Sequence, residues 1–179
     1  MLNLKNTVLI VVDVQGKLFR LMHNKDLLLE NLPNLVKGAW ILEVPIIWTE
    51  QNPEKLGPTI PEVANLLSDI QPISKLSFSC CGSERFMQIF NSLNRKQILI
   101  AGIEAHICVY QTAIDLLNSG YEVQIVADAT SSRTPENKEI GLNKARDAGA
   151  TLTSTEIALF ELLKVAEGAK FKEILKIVK

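Results

Sequence analysis

The chain has 179 residues, a length that suits one domain spanning residues 1–179. Hydrophobic residues make up 47% and charged residues 22%, which excludes intrinsic disorder over most of the chain. With 19 basic against 20 acidic residues and only 6% aromatic residues, nothing favours a nucleic-acid or membrane-surface binder.

Targeting segments and metal ligands are also scarce in the sequence. The longest apolar run near the N-terminus, residues 8–12, is too short to span a bilayer and lacks the flanks of a secretory signal. We therefore predict a cytoplasmic protein. Three cysteines and two histidines argue against a disulfide framework, a structural zinc site or a multi-histidine centre. We expect no metal and no cofactor.

The first half of the chain alternates apolar strands with one predicted helix. Residues 7–12 form an unbroken apolar run, which is typical of a strand covered on both faces of a parallel sheet. Residues 45–49 predict a second strand, and residues 70–74 a weaker one. A helix with Leu35, Val36, Ala39 and Leu42 on one face precedes the second strand, with Pro33 at its first turn or at a kink. Residues 52–61 predict a loop.

The second half repeats this alternation. Further strands are predicted at residues 97–101 and 123–127, with a weaker one at 150–152. Apolar stripes at helical spacing predict helices that contain residues 86–93, 109–117 and 157–163. Thr134 before Pro135 marks another helix start, and Thr153 with Glu156 fits a capping box.

Strands that alternate with helices predict a three-layer, Rossmann-like α/β fold in which helices cover both faces of a parallel sheet. The tail, residues 167–179, contains a short amphipathic helix. We expect it to dock on the body of the protein or on a neighbouring subunit in a homo-oligomer.

Two charged residues follow predicted strands. Asp13 ends the first strand, where a carboxylate is costly to bury unless it has a partner, a task or a nearby turn to cap. Lys75 follows the strand at 70–74 and, taken alone, is an ordinary surface lysine. If the two lie on neighbouring strands, they form an ion pair that leaves a proton acceptor beside a cation.

Cys108 lies in the first turn of a predicted helix. Free N–H groups and the positive end of the helix dipole favour a thiolate there, with a pKa lowered from ~8.5 to roughly 3.5–7.5. The same N–H groups suit an oxyanion. The alternative is a small buried hydrophobic residue. Cys80 and Cys81 are adjacent, and we interpret them as small residues near a pocket.

Three motifs resemble the isochorismatase-like cysteine hydrolases. They are the strand with Asp13 and Gln15, the turn Ala-Gly-Ile-Glu-Ala-His-Ile-Cys at residues 101–108, and Lys75 at the position of the family's lysine. The resemblance covers residues 8–163. It implies a six-stranded parallel sheet and a Cys–Asp–Lys triad with Cys108 as nucleophile, Asp13 as base and Lys75 holding Asp13.

The resemblance further implies a cis peptide bond between Ile103 and Glu104. The backbone N–H groups of Glu104 and Cys108 would then form an oxyanion hole. Nicotinamidases of this family carry an Asp-x-His pair after the second strand, whereas this chain has Thr-Glu-Gln-Asn-Pro at residues 49–53. The chain therefore resembles the metal-free branch rather than a typical nicotinamidase.

The leading hypothesis is a hydrolase that cleaves the C–N bond of a small amide through a thioester on Cys108. The alternatives are a binding protein that keeps the pocket without turnover, and a redox sensor that uses Cys108 with Cys80 or Cys81. The partner expected is a small-molecule substrate. Residues predicted near this substrate are aromatic or polar: Phe19, Trp48, Gln51, Phe78, His106 and Tyr110.

Overall fold

A six-stranded parallel sheet forms the centre of the computed structural model, which describes residues 1–178. The strands are Thr7–Val12 (β1), Ile46–Gln51 (β2), Ile73–Lys75 (β3), Gln97–Ile103 (β4), Glu122–Ser131 (β5) and Thr151–Thr153 (β6). Their order is β3-β2-β1-β4-β5-β6, and every neighbouring pair is parallel. The predicted fold class is confirmed.

Helices connect the strands and cover both faces of the sheet. They are Gly16–Phe19 (α1), Lys25–Ile41 (α2), Pro53–Leu56 (α3), Pro61–Ala64 (α4), Glu84–Ser92 (α5), Tyr110–Asn118 (α6), Pro135–Asp147 (α7), Thr155–Leu163 (α8) and Gly168–Val178 (α9). A π-helical turn, Ala105–Val109, leads directly into α6.

Alternate residues of each strand serve two separate apolar cores. Leu9 and Val11 of β1 pack in a cluster with residues of α2, α8 and α9. Val8, Ile10 and Val12 pack in a second cluster with residues of α5, α6 and α7 on the other face. Burial on both faces explains why the strands carry continuous apolar runs instead of alternating polar residues.

The connectivity creates a crevice between β1 and β4. The chain adds β2 and β3 on one side of β1 and then crosses to build β4, β5 and β6 on the other. Helices that leave these two strands on opposite faces diverge at the carboxyl ends, where open α/β sheets bind ligands. Asp13 follows β1, and the π-helical turn with Cys108 follows β4.

Gly102 allows these two strands to approach closely. It pairs with Val12, has φ = 118°, and a Cβ atom built on it would lie 2.2 Å from the Val12 carbonyl oxygen. Only glycine fits this combination of a positive φ and a close backbone neighbour.

Several element boundaries differ from the predictions, and the stretch 52–61 predicted as a loop contains the short helix α3. β3 is Ile73–Lys75 rather than 70–74, because the Ile70 N–H is bound in a turn to the Leu67 carbonyl. Pro33 lies inside α2, which begins at Lys25, and buried Leu28 and Leu32 continue its apolar face.

The start of α8 also differs. The cap of this helix is Ser154, whose hydroxyl accepts from the Ile157 N–H, so the capping box predicted at Thr153 is wrong by one residue.

The tail helix α9 docks on the body of the chain. Ile174 is fully buried in the core beside α2, and Lys170 donates to Glu43 at 2.9 Å. Within residues 1–178, no helix combines the length and apolarity needed to cross a bilayer.

Candidate active site

Asp13 is held in place directly after β1. Its carboxylate is fully buried, and its backbone has φ = 52°, a left-handed conformation that is uncommon outside glycine. Oδ1 accepts from the Thr49 hydroxyl at 2.7 Å, and Oδ2 accepts from the Lys75 ammonium at 2.7 Å. Two short hydrogen bonds, one of them from a cation, therefore satisfy both oxygens of the buried carboxylate.

Lys75 is the last residue of β3 and reaches across β2 to Asp13. The sequence analysis made this ion pair conditional on neighbouring strands. The pair forms although β1 and β3 are not neighbours, since β2 lies between them. The Lys75 Nζ also lies within hydrogen-bond distance of Gln51 Oε1 and of two backbone carbonyls, at 2.9–3.1 Å. These acceptors offset the desolvation of a buried ammonium.

Cys108 occupies the π-helical turn after β4. The Glu104 carbonyl accepts from the N–H groups of Ile107 and Val109, at 3.0 and 3.2 Å. In an α-helix this carbonyl would accept a hydrogen bond from the N–H of Cys108, which follows four residues later in the chain. The π-helical turn bypasses that N–H, and such turns recur at functional sites. The Ile103–Glu104 peptide bond is cis, as the resemblance implied.

The ionisation of Cys108 differs from the prediction. Burial raises the pKa of its thiol, the Asp13 carboxylate raises it further, and the Lys75 ammonium acts in the opposite direction. The lowered pKa expected from the helix start is therefore wrong. The three predicted triad residues do lie together, since both charges act on the thiol. Their catalytic roles remain a prediction.

Cys80 is a second thiol beside this group. Its Sγ lies 3.8 Å from the Thr49 hydroxyl, and its N–H donates to Thr112 at 2.9 Å. Complete burial raises the pKa of this thiol to about 12. Cys81 is only half-buried, and burial raises its pKa to about 11.

A network behind Lys75 includes Gln15, which belongs to the first sequence motif, and Glu50, which the sequence analysis did not identify. Buried Gln15 joins the loops after β1 and β2, because its side chain bonds the Gln51 backbone at both N–H and carbonyl and also the Gly57 carbonyl. Glu50 accepts from both the N–H and the hydroxyl of Thr59. The "Asp-x-Gln" spacing singled out Gln15, but nothing in the sequence pointed to Glu50.

The residues predicted to contact substrate have different surroundings. The amide of Gln51 is bound to Lys75 and to the Leu76 carbonyl, so its polar atoms serve the protein itself. Trp48 is a core residue whose Nε1 donates to the Ile70 carbonyl. Phe78 is largely exposed, although its carbonyl accepts from Lys75.

Phe19, His106 and Tyr110 are half-buried at separate places. Phe19 lines a groove of about 560 Å³ between the loops after β1 and β2, and residues 13, 75 and 108 do not line that groove. His106 Nδ1 lies 3.0 Å from the Ser132 hydroxyl. The Tyr110 ring faces Lys144 of α7, with Nζ 5.4 Å from its centre. Their contacts with substrate remain predictions.

The described residues do not fit a metal ion beside the triad. No group of three or more His, Cys, Asp or Glu side chains within residues 1–178 is arranged to hold one. In the segment after β2, the Glu50 carboxylate is already bound to Thr59.

Comparisons with known proteins identify the family of this chain. The family model described as the isochorismatase domain matches residues 7–157. The secreted isochorismatase effector Isc1 of Phytophthora sojae is 36% identical over 178 residues, covering 97% of this chain and 85% of that protein. Together, the fold, the crevice and these matches define a hydrolase-type α/β protein, and the chain belongs to the isochorismatase family.

Two solved structures share the fold. The MAR1 ribonuclease from Caenorhabditis elegans superposes with a TM-score of 0.92 at 34% identity, covering 99% of this chain and 91% of that one. The YcaC gene product of Escherichia coli, described as an octameric hydrolase of unknown specificity, has a TM-score of 0.93. At 22% identity, with 98% of this chain and 89% of that chain covered, the second likeness concerns the fold alone.

Proposed function

We propose that the protein is a cysteine hydrolase that cleaves the C–N bond of a small amide through a thioester on Cys108. The observation that carries this proposal is the fully buried Asp13–Lys75 ion pair, with 2.7 Å between Nζ and Oδ2, beside the Cys108 thiol. A buried ion pair is weak evidence for stability alone. Next to a thiol in the crevice of the sheet, it suits proton transfer.

The first half of the reaction forms the thioester. Sγ of Cys108 attacks the amide carbonyl carbon while the Asp13 carboxylate accepts the thiol proton. The N–H groups of Glu104 and Cys108 donate to the oxyanion of the tetrahedral intermediate. The C–N bond then breaks, and Asp13 returns the proton to the leaving nitrogen. Because burial raises the pKa of the thiol, the nucleophile is made at the moment of attack rather than stored as a thiolate.

The second half regenerates the enzyme. A water molecule attacks the thioester carbonyl while Asp13 accepts one of its protons. The C–S bond breaks, and the proton passes from Asp13 to the sulfur, which leaves a carboxylic acid and the free thiol. Lys75 exchanges no proton in these steps, and its other acceptors hold it so that it fixes the orientation of the Asp13 carboxylate.

A panel of small primary and secondary amides tests the proposal. We expect ammonia or amine release from the wild type, loss of release in Cys108→Ala and Asp13→Asn, and a mass increase on Cys108 when turnover is quenched with acid. Cys81→Ala is the matched control, since Cys81 is half-buried and should leave turnover unchanged. An acyl adduct that forms equally in Cys108→Ala would contradict the thioester.

The panel also includes a short RNA, because the Caenorhabditis elegans relative is described as a ribonuclease. We propose that RNA is not cleaved. Cleavage of RNA that survives Cys108→Ala would point to a different activity.

We also propose a homo-oligomer, for which light scattering after size exclusion gives the mass. A monomeric mass would contradict it.

A further inference from the structure

The carboxylate of Glu104 is buried directly before the π-helical turn, and its partner lies on another loop. Glu104 Oε2 accepts from the Arg133 Nε at 3.0 Å and from the Arg133 backbone N–H at 3.2 Å. The Glu104 side chain is 8% exposed, whereas that of Arg133 is 52% exposed. A surface arginine needs no partner, but a buried carboxylate does. The pair therefore matters for the placement of Glu104.

The loop that carries Arg133 contacts the same turn a second time. The Ser132 hydroxyl lies 3.0 Å from His106 Nδ1, and the Ser132 carbonyl accepts from the His23 N–H at 2.8 Å. The Ser131 hydroxyl donates to the His23 carbonyl at 2.6 Å. Residues 131–133 thus hold the nucleophile turn at Glu104 and His106 and are themselves held by the segment before α2.

We propose that Arg133 is a positioning residue that fixes the peptide of Glu104, and so one N–H of the oxyanion hole, through the Glu104 carboxylate. This inference rests on the proposed function, which assigns that N–H to the oxyanion. The carboxylate is anchored on one side by Arg133, while the carbonyl of the same residue is anchored by Ile107 and Val109. Fixing both groups leaves the residue little freedom to rotate.

Arg133 should act on the oxyanion and not on the thiol. The charged side chains that act on the pKa of Cys108 are Asp13 and Lys75, and Arg133 is not among them. Removal of the guanidinium should therefore leave the reactivity of the thiol unchanged, while the developing negative charge on the substrate oxygen loses a well-placed donor. These two effects are measured separately.

The experiment compares Arg133→Met, Arg133→Lys and wild type by three measurements. They are kcat and KM on an amide from the panel, the affinity of a small aliphatic aldehyde, and the alkylation rate of Cys108 by iodoacetamide. Sγ of Cys108 adds to the carbonyl carbon of the aldehyde, and the thiol proton passes to Asp13. The resulting oxyanion occupies the proposed oxyanion hole. Aldehyde binding therefore reports on the hole without any turnover of an amide.

For Arg133→Met we expect kcat to fall about 10- to 100-fold, since loss of an oxyanion donor costs about 10²–10³ and the N–H is displaced rather than deleted. Aldehyde affinity should fall by a similar factor. KM and the alkylation rate should stay within about twofold of their wild-type values, which is small beside the tenfold change that about 1.4 kcal/mol would produce. Arg133→Lys should recover part of both losses. Arg146→Met is the control, because Arg146 forms an exposed pair with Asp147 at 3.6 Å.

Several outcomes overturn the inference. One is that Arg133→Met binds the aldehyde as tightly as wild type does. Another is that its alkylation rate falls together with kcat. A third is that the control Arg146→Met loses as much kcat and aldehyde affinity as Arg133→Met. Absence of an aldehyde adduct on the wild type also overturns it. If the wild type hydrolyses no amide, the proposed function fails, and the aldehyde and alkylation measurements still decide the role of Arg133. Thermal unfolding of both Arg133 variants identifies a loss that comes from misfolding, which would contradict a positioning role.

Discussion

At the scale of single residues, the ionisation of Cys108 depends on burial more than on helix position. A helix start contributes about 0.3–1 kcal/mol to a nearby charge, and up to about 2 kcal/mol in partly buried sites. Loss of water around a buried thiolate, with a carboxylate beside it, outweighs that contribution, and the pKa rises. The sequence places Cys108 at a helix start, but it does not contain the degree of burial.

The alkylation rate of Cys108 should therefore rise with pH without levelling off. Below the pKa of a thiol, the thiolate fraction increases about tenfold for each pH unit. We expect this increase between pH 7 and pH 9, measured by mass spectrometry after iodoacetamide treatment, with Cys108→Ala as the blank. A rate that levels off below pH 8 would show a lowered pKa and contradict the general-base mechanism.

Asp13→Asn separates the two roles of Asp13. The Asp13 carboxylate raises the pKa of Cys108, so its replacement by an amide lowers that pKa and increases the thiolate fraction. We expect faster alkylation at pH 8 together with loss of amide turnover, because the base is gone. Slower alkylation in this variant would contradict the electrostatic role of Asp13.

At the scale of elements, long apolar runs predicted most of the sheet. The strands β1 and β4 are buried throughout, and β5 is buried over most of its length, so their sequences are apolar enough to identify. The short β3 and the four-residue helices α1, α3 and α4 depend on loop contacts that no local pattern encodes. The same holds for Lys75, whose contact with Asp13 requires the register of β1, β2 and β3 together.

Close packing of α7 on the π-helical turn gives a prediction for Gly141. A Cβ atom there would lie 2.6 Å from the Cα and 2.7 Å from the N of His106. Glycine to alanine inside a helix normally stabilises by about 0.5–1 kcal/mol. Because the neighbouring atoms are backbone, we expect Gly141→Ala to destabilise instead, by about 1–3 kcal/mol, and to lower amide turnover by moving the turn.

Urea unfolding and turnover measurements check this expectation. Glu139→Ala, at an exposed position of the same helix, is the matched control and should leave both quantities near wild type. A more stable Gly141→Ala would mean that α7 shifts freely, and the packing argument would then be wrong.

At the scale of the whole molecule, the candidate site lies where the chain reverses its direction of strand addition. Alternating strands and helices predict a site at the carboxyl ends of a parallel sheet, but they do not predict the strand order that puts the crossing between β1 and β4. The electrostatics of the site could not be predicted, because Thr49 reaches Asp13, Gln51 reaches Lys75 and Cys80 reaches Thr49 only in the folded chain. Folding thus buries several ionisable groups at once.

The stability of the fold should therefore fall in alkaline solution. In the folded chain, burial raises the pKa values of Cys80 and Cys108 above that of an ordinary thiol. Below about pH 8.5, the ordinary pKa of a thiol, both thiols are neutral in the folded and unfolded chains. Their contribution to the free energy of unfolding is then complete. Above that pH the unfolded chain loses protons first, so the free energy of unfolding decreases, by up to about 1.4 kcal/mol per thiol for each pH unit. For Cys80 this loss continues to about pH 12.

Urea unfolding at pH 8, 9 and 10 measures this slope. The double variant Cys80→Ala/Cys108→Ala should be less stable than wild type at pH 8, because two buried sulfur atoms are lost from the core around β1. Its free energy of unfolding should nevertheless depend less on pH above 9, since neither thiol remains to titrate. An equal slope in wild type and double variant would assign the alkaline loss to other groups and contradict the raised pKa values.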